Sequence, residues 1–332
     1  MDPKPTTATP PGEEDNEVVA ELLPLIRVKK DGTVERLRGT DFVPPSIDPV
    51  NGVSSKDITL EVQFRSLEAR IFLPTNVKQR LPLFVHYHGG GFCVSSPFNS
   101  VFNGFLATLA GTARAVVISV NYRKAPEHPI PAAYEDSWET LLWVAEHRHG
   151  KGPESWLNNH VDFQRLFLGG ESAGGNIAHN VAMRAGSSNV WAGLGLDIAG
   201  VMLIHPYFWG SHPIGSELLD PEKKAINDSL WPFICPLSPS NDDPWVNPVS
   251  YMAPSLEWLG CQRLLVCVAE KDILRDRGRL YYEALCRSGW MGMAEIFESE
   301  GEDHTFHLTD TESENTKSLM KYLDGFLNSD LF

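Results

Sequence analysis

Long hydrophobic runs are missing from this 332-residue chain. Nothing approaches the ~18 consecutive apolar residues that a membrane-spanning helix needs, so no membrane is expected. A basic surplus is missing too. Lysine plus arginine number 28 against 43 aspartate plus glutamate, a formal charge of −15, and such a surface repels phosphate backbones and anionic lipid. No nucleic-acid partner is therefore expected. Cysteine is scarce, five in all with no Cys-x-x-Cys pair, which argues against a disulfide framework and for reduced thiols in a cytoplasmic protein. Residues 1–16, rich in proline and threonine, lack the apolar stretch of a secretory signal and are expected to be a disordered tail. The sequon Asn227-Asp228-Ser229 is accordingly expected to stay unmodified. No internal repeat is visible. With 42% hydrophobic and 21% charged residues, the composition is globular and long enough for one large α/β domain or two smaller ones.

The hydrophobic pattern changes character along the chain. Glu17 to Leu23 reads as one or two helical turns. Ile26–Val28 and Val34–Leu37, joined through Asp31-Gly32, read as a hairpin with a tight turn, and 41–52 as a proline-broken loop. Ile58, Leu60, Val62 and Phe64, then Leu67, Ala69, Ile71 and Leu73, alternate with polar residues, the signature of half-buried antiparallel strands. From Leu83 onward the runs become continuously apolar: Leu83–Tyr87, Ala115–Val120, Leu166–Leu168, Ile198–Ile204 and Leu264–Val268. Such runs suit parallel strands covered on both faces. Helical segments are predicted at about 98–111, 132–147, 173–185, 275–288 and 311–328. The alternation predicts a doubly wound, mostly parallel sheet flanked by helices. Between Tyr207 and Leu259 more than fifty residues intervene before the next core strand, with Trp209, Trp231 and Trp245. That is too long for a simple crossover and predicts an inserted helical cap, whose aromatics either fill its own core or line a ligand pocket.

Three places carry chemistry. Gly170-Glu-Ser-Ala-Gly174 fits G-x-S-x-G between an apolar run and a helical segment, so Ser172 is presented on a tight strand-to-helix turn. His88-Gly-Gly-Gly-Phe92 follows the Leu83–Tyr87 run. Consecutive glycines let backbone N–H groups approach an oxygen, and no GK[ST] or GxGxxG follows that would make the loop a phosphate cradle. A serine hydroxyl needs a positioned base, itself oriented by a carboxylate. Asp272, after Leu264–Val268, and His304, after Ala294–Phe297, stand in the order Ser…Asp…His. Asp276 and Glu270 compete for the first place and His307 for the second. His86 with His88, and His147 with His149, alternate in the manner of metal ligands, but lack a third ligand at a sensible spacing, and no metal is expected.

These motifs together, with Asn121-Tyr-Arg-Lys-Ala-Pro-Glu-His128, Pro131-Ala-Ala-Tyr-Glu-Asp136 and Lys30-Asp-Gly-Thr-Val-Glu-Arg36, resemble the plant carboxylesterases of the hormone-sensitive-lipase-like branch of α/β-hydrolases. The resemblance covers essentially everything after residue 17. It implies Ser172 as nucleophile, His304 as general base and Asp272 as its orienter. It implies Gly90, Gly91 and Ala173 as the oxyanion hole, with His88 and Gly89 supporting that loop. The Tyr122-Arg123 and Glu127-His128 pairs would be structural. An N-terminal helix and the 207–250 insertion would form the lid. No cofactor is implied. The gibberellin receptors resemble the chain but lack the triad histidine. The 2-hydroxyisoflavanone dehydratases are similar around Lys30–Arg36 and Phe208–Ser211, but carry threonine at the nucleophile and alanine in the glycine loop. The resemblance thus implies an α/β-hydrolase fold over 17–332 as one catalytic domain, capped by about 17–50 and 207–250. The expected substrate is an ester of a small apolar or aromatic molecule, with a dehydratase-like elimination as the alternative.

Overall fold

The computed structural model describes residues 17–48, 52–63 and 65–329. The tail expected over 1–16, the loop positions 49–51 and Phe64 of the expected strand lie outside the described residues.

The chain begins with a small antiparallel sheet of β1 (Val18–Leu22), β2 (Ile26–Lys29) and β3 (Val34–Arg36). This corrects the helix expected over Glu17–Leu23. Five residues beginning with two valines are too few to offset the cost of a helical nucleus. They pair instead with β2, Leu22 against Ile26 and Ala20 against Val28, which buries Leu22 and Ile26 on one side. The β2–β3 hairpin forms as expected. Gly32 takes φ +86°, and the Asp31 carboxylate accepts from the Thr33 amide at 2.8 Å.

Nine strands build the main sheet: β4 (Ile47–Asp48), β5 (Val53–Val62), β6 (Arg65–Pro74), β7 (Leu81–Tyr87), β8 (Val116–Asn121), β9 (Val161–Glu171), β10 (Gly200–Ile204), β11 (Arg263–Ala269) and β12 (Met293–Ser299). Their order is β12-β11-β10-β9-β7-β8-β6-β5-β4. From β12 to β8 all neighbours are parallel, whereas β6, β5 and β4 add an antiparallel edge. The apolar runs are explained by burial on both faces. In β7, Leu83, Val85 and Tyr87 face one core and Phe84 the other; in β11, Leu264, Val266 and Val268 oppose Leu265 and Cys267.

Helices α1 (Ser100–Ala113), α2 (Ala132–Ala145), α3 (Ser155–His160), α4 (Ala173–Ser187), α5 (Asn189–Leu194), α6 (Pro221–Ile234), α7 (Arg275–Arg287) and α8 (Glu314–Asn328) complete the fold. One face of the sheet receives α2, α4 and α7 through Leu141, Ile177 and Tyr281. The other receives α1 and α8 through Leu109 and Leu323. Five of the eight match expected segments within three residues at each end; α3 and α5, six residues each, are too short to show periodicity.

After β7 the chain moves one way to β8, then returns past β7 to β9. This reversal opens a crevice at the carboxyl ends of β7 and β9, the place where α/β sheets bind ligands. Over the crevice lies α6, the helix of the expected insertion. Asp220 caps it by accepting from the Lys223 amide at 2.9 Å, with Pro221 in its first turn. The rest of the insertion differs from expectation. Tyr207, Phe208, Trp209 and Trp231 are buried core residues, so much of the 207–250 stretch belongs to the body of the fold. The partner of α6 over the crevice is the β1–β3 sheet and its following loop, in place of the expected N-terminal helix.

Candidate active site

Ser172 occupies the one-residue hinge between β9 and α4, at φ +55°, ψ −117°. A side-chain-bearing residue in that conformation is strained, and strain of this kind persists only where surrounding contacts over-determine it. Here they do. The Ser172 amide donates to Ile204 O at 3.0 Å, and its carbonyl accepts from the Tyr207 amide at 2.9 Å and from the Asn176 amide at 3.1 Å. The flanking glycines answer a steric demand. A Cβ on Gly170 would stand 2.0 Å from Tyr87 O, and one on Gly174 1.8 Å from the same atom. The turn can therefore press against the end of β7 only without those side chains.

That close approach brings the glycine loop beside the serine. Gly89 lies against Glu171 O and Ser172 Cβ, at 3.0 and 3.5 Å from its would-be Cβ. Gly90 and Gly91 have φ of +114° and +58°, and the Gly90 carbonyl accepts from the Cys93 and Val94 amides at 3.0 Å. His88 anchors the loop. It is fully buried and stacked on Tyr122, with ring centroids 4.2 Å apart. Its Nδ1–H donates to Gly89 O at 2.7 Å, while the Tyr122 hydroxyl donates to the His88 carbonyl at 2.7 Å. Burial pushes the His88 imidazole well below its ordinary pKa, so it serves as a neutral prop. The first-turn amide of Ala173 has no intrahelical acceptor and sits at the positive end of the α4 dipole.

Asp272 and His304 come from the loops after β11 and β12. The His304 Nδ1–H donates to Asp272 Oδ2 at 2.7 Å, and Asp272 Oδ1 accepts from the Leu274 amide at 2.9 Å. Burial works against ionisation of both groups. The Asp272 charge and hydrogen bond outweigh burial at His304 and hold the imidazole above its ordinary pKa. The imidazole and the Leu274 amide likewise hold the Asp272 carboxyl below its own. The competing residues stand elsewhere. Asp276 accepts from the Ser216 amide and pairs with Arg275, and the Glu270 carboxylate accepts from the Gly301 amide. His307 is buried against Phe105 and His205, and burial pushes its imidazole down to about 3.

Members of the two histidine pairs weighed as metal ligands have other partners. His86 is held between the Ser119 hydroxyl and the Glu171 carboxylate, both at 2.8 Å, and His147 accepts from the Glu154 amide. His205, absent from the sequence expectations, forms a compact group with Asp272 and His304, their ligand-type atoms within 4.8 Å of one another. Both Nδ1 atoms in that group are already engaged, with Asp272 and with the Thr305 amide, which makes it a hydrogen-bonded cluster and a poor cation cage. The only sequence signal for His205 was its place directly after an apolar strand.

Ser172, Asp272, His304 and Gly89 to Gly91 all line one cavity of about 630 Å³. Its roof is one face of α6, with Lys223, Ile226, Asn227 and Leu230 at spacings of three, one and three residues. Opposite lie Pro24, Leu25 and Arg38 from the N-terminal sheet region. Of the aromatic residues in the insertion only Tyr207 reaches this cavity.

Comparison with known proteins agrees with the architecture. A family described by its α/β-hydrolase fold matches residues 84–308. The chain is 44% identical over 314 residues to probable carboxylesterase 2 of Arabidopsis thaliana, covering 94% of this chain and 97% of the relative. It is 46% identical over 319 residues to the 2-hydroxyisoflavanone dehydratase of Glycyrrhiza echinata, covering 94% and 96%. Among solved structures, the thermostable carboxylesterase EstE1, cloned from a metagenomic library, superposes with a TM-score of 0.70 at 26% identity over 86% of this chain and 90% of that one. A strand order that reverses at β7, a strained serine between β9 and α4, and a match over two thirds of its length place this chain in the α/β-hydrolase family.

Proposed function

We propose that the chain is a carboxylesterase that hydrolyses esters of a small apolar or aromatic molecule through Ser172, His304 and Asp272. The observation that carries the reading is the Asp272–His304 hydrogen bond opening into the same cavity as the strained Ser172. Ser172 Oγ attacks the ester carbonyl while His304 Nε2 takes its proton, and Asp272 fixes the tautomer that leaves Nε2 free to accept. The carbonyl oxygen, now an anion, is held by the amides of Gly90, Gly91 and Ala173; each such donor is worth about 3–4 kcal/mol of barrier. His304 returns the proton to the departing alcohol. Water, deprotonated by the same imidazole, then hydrolyses the acyl-enzyme. The cavity walls (Leu25, Ile226, Leu230, Leu308) suit an apolar substrate, and no step calls for a cofactor. Residues 17–332 act as one catalytic domain capped by α6 and the β1–β3 sheet. A cytoplasmic location belongs to the same reading, supported by five free cysteines.

The dehydratase relative supports a second reading, since the same base and oxyanion donors could remove a proton from, and stabilise the enolate of, a 2-hydroxyisoflavanone. Ser172 and the unbroken His88–Gly91 stretch favour ester hydrolysis. Incubation with p-nitrophenyl acetate and, separately, with a 2-hydroxyisoflavanone separates the two. The esterase reading expects turnover of the first that Ser172→Ala abolishes. Isoflavone formation undiminished in Ser172→Ala would establish the second.

A further inference from the structure

We propose that His205 is a positioning residue, which holds the His304 loop in its working conformation by accepting the Thr305 backbone N–H. The proposal rests on the reading of His304 as the base. His205 follows β10, is 1% exposed, and its Nδ1 lies 3.0 Å from the Thr305 amide nitrogen. An amide can only donate, so the His205 proton resides on Nε2, an atom that is buried without a partner. A buried, unsatisfied N–H is costly. Its retention suits a site where the opposite nitrogen has a task.

The backbone supplies a second, independent observation. His205 has φ +46° and Thr305 has φ +53°. Two non-glycine residues in the left-handed region face each other across one hydrogen bond, and one of them directly follows His304. Strain of this kind is kept only where contacts enforce it. His205 is itself fixed by donation from its amide to Cys267 O at 2.8 Å. The chain of contacts therefore runs from the core strand β11 through His205 to Thr305 and so to the imidazole beside it. Burial holds the His205 imidazole well below its ordinary pKa, so its capacity to accept is constant at working pH. His307, Asp272 and His304 are the titratable groups around it.

Three substitutions separate the hydrogen bond from its confounders. His205→Asn keeps an acceptor near the Nδ1 position and tolerates the left-handed backbone. His205→Gly relieves the backbone but offers no acceptor, and His205→Phe keeps the ring volume but offers none. With p-nitrophenyl acetate, His205→Asn is expected to hold kcat within about threefold, whereas Gly and Phe lower it by at least about tenfold with KM within about twofold, as for a misplaced catalytic group. Hydrogen exchange at the Thr305 amide gives a readout independent of activity: protected in wild type and His205→Asn, faster in the other two. Wild-type kcat and Thr305 protection in either His205→Gly or His205→Phe would overturn the proposal, as would an equal loss in all three. The reading of His304 as base fails separately, by hydrolysis that survives His304→Ala.

Discussion

The floor and the roof of the cavity are held by different physics. In the floor, the turn that carries Ser172 is set by backbone contacts so close that a methyl group on Gly170 or Gly174 is excluded, at 2.0 and 1.8 Å from Tyr87 O, and Asp272 by its hydrogen bonds with His304 and the Leu274 amide. The roof is rooted in the core by Leu230, Trp231 and Ile234 of α6, but its rim is held by wetter contacts. Arg36 of β3 donates to Cys93 O at 2.8 Å and forms a bidentate pair with Glu127, and Lys223 of α6 pairs with Asp303 at 3.0 Å, both groups about half exposed. Close packing makes a floor that cannot be altered without loss. Surface ion pairs make a rim of the roof that tolerates change, because each is worth little. Under the proposed esterase reading, chemistry belongs to the floor and substrate fit to the roof.

The largest expected effect lies in the floor. Gly170→Ala or Gly174→Ala drives a Cβ into the Tyr87 carbonyl and is expected to destabilise by at least about 3 kcal/mol, read as a lowered thermal midpoint with loss of activity; wild-type stability would break the comparison at its base. Next, Asp272→Asn is expected to leave the fold intact and lower kcat by about 10⁴. Because Asp272 holds the His304 imidazole above its ordinary value, the acid limb of the pH–rate profile should move to lower pH in that variant, and movement to higher pH would contradict the assignment. Smaller is the effect of Arg36→Met, expected to cost about 1 kcal/mol and to change KM more than kcat. Smallest is Lys223→Met. Its loss removes a positive neighbour of His304, so the acid limb should rise slightly, with kcat within about threefold for an exposed pair. A roof substitution that abolished turnover would show that the two regions are not separable in this way.

Which features were legible follows the same division. Ser172, the glycine loop, Asp272 and His304 could be read because their requirements are local: a turn with no Cβ, and loops placed directly after apolar strands. The parallel sheet could be read because strands covered on both faces have no polar alternation. His205 could not, since its partner Thr305 is 100 residues away and one histidine after a strand has no pattern of its own. The segment 17–23 reads as helix in isolation because its partner strand, and not its own seven residues, decides between helix and strand. Within the 207–250 insertion the start of α6 carries a local signal in Asp220-Pro221, whereas Trp209, and Trp231 on the inner face of α6, look like lid residues until the core they fill is seen.

The central claim, that Ser172 attacks the substrate and is acylated, is tested most directly by intact-mass and peptide mapping after exposure to a serine-directed fluorophosphonate. One adduct per chain is expected, on the peptide carrying Ser172, with parallel loss of p-nitrophenyl acetate hydrolysis and no adduct or turnover in Ser172→Ala. Hydrolysis that persists in Ser172→Ala, or an adduct on a different serine that tracks the lost activity, would contradict it.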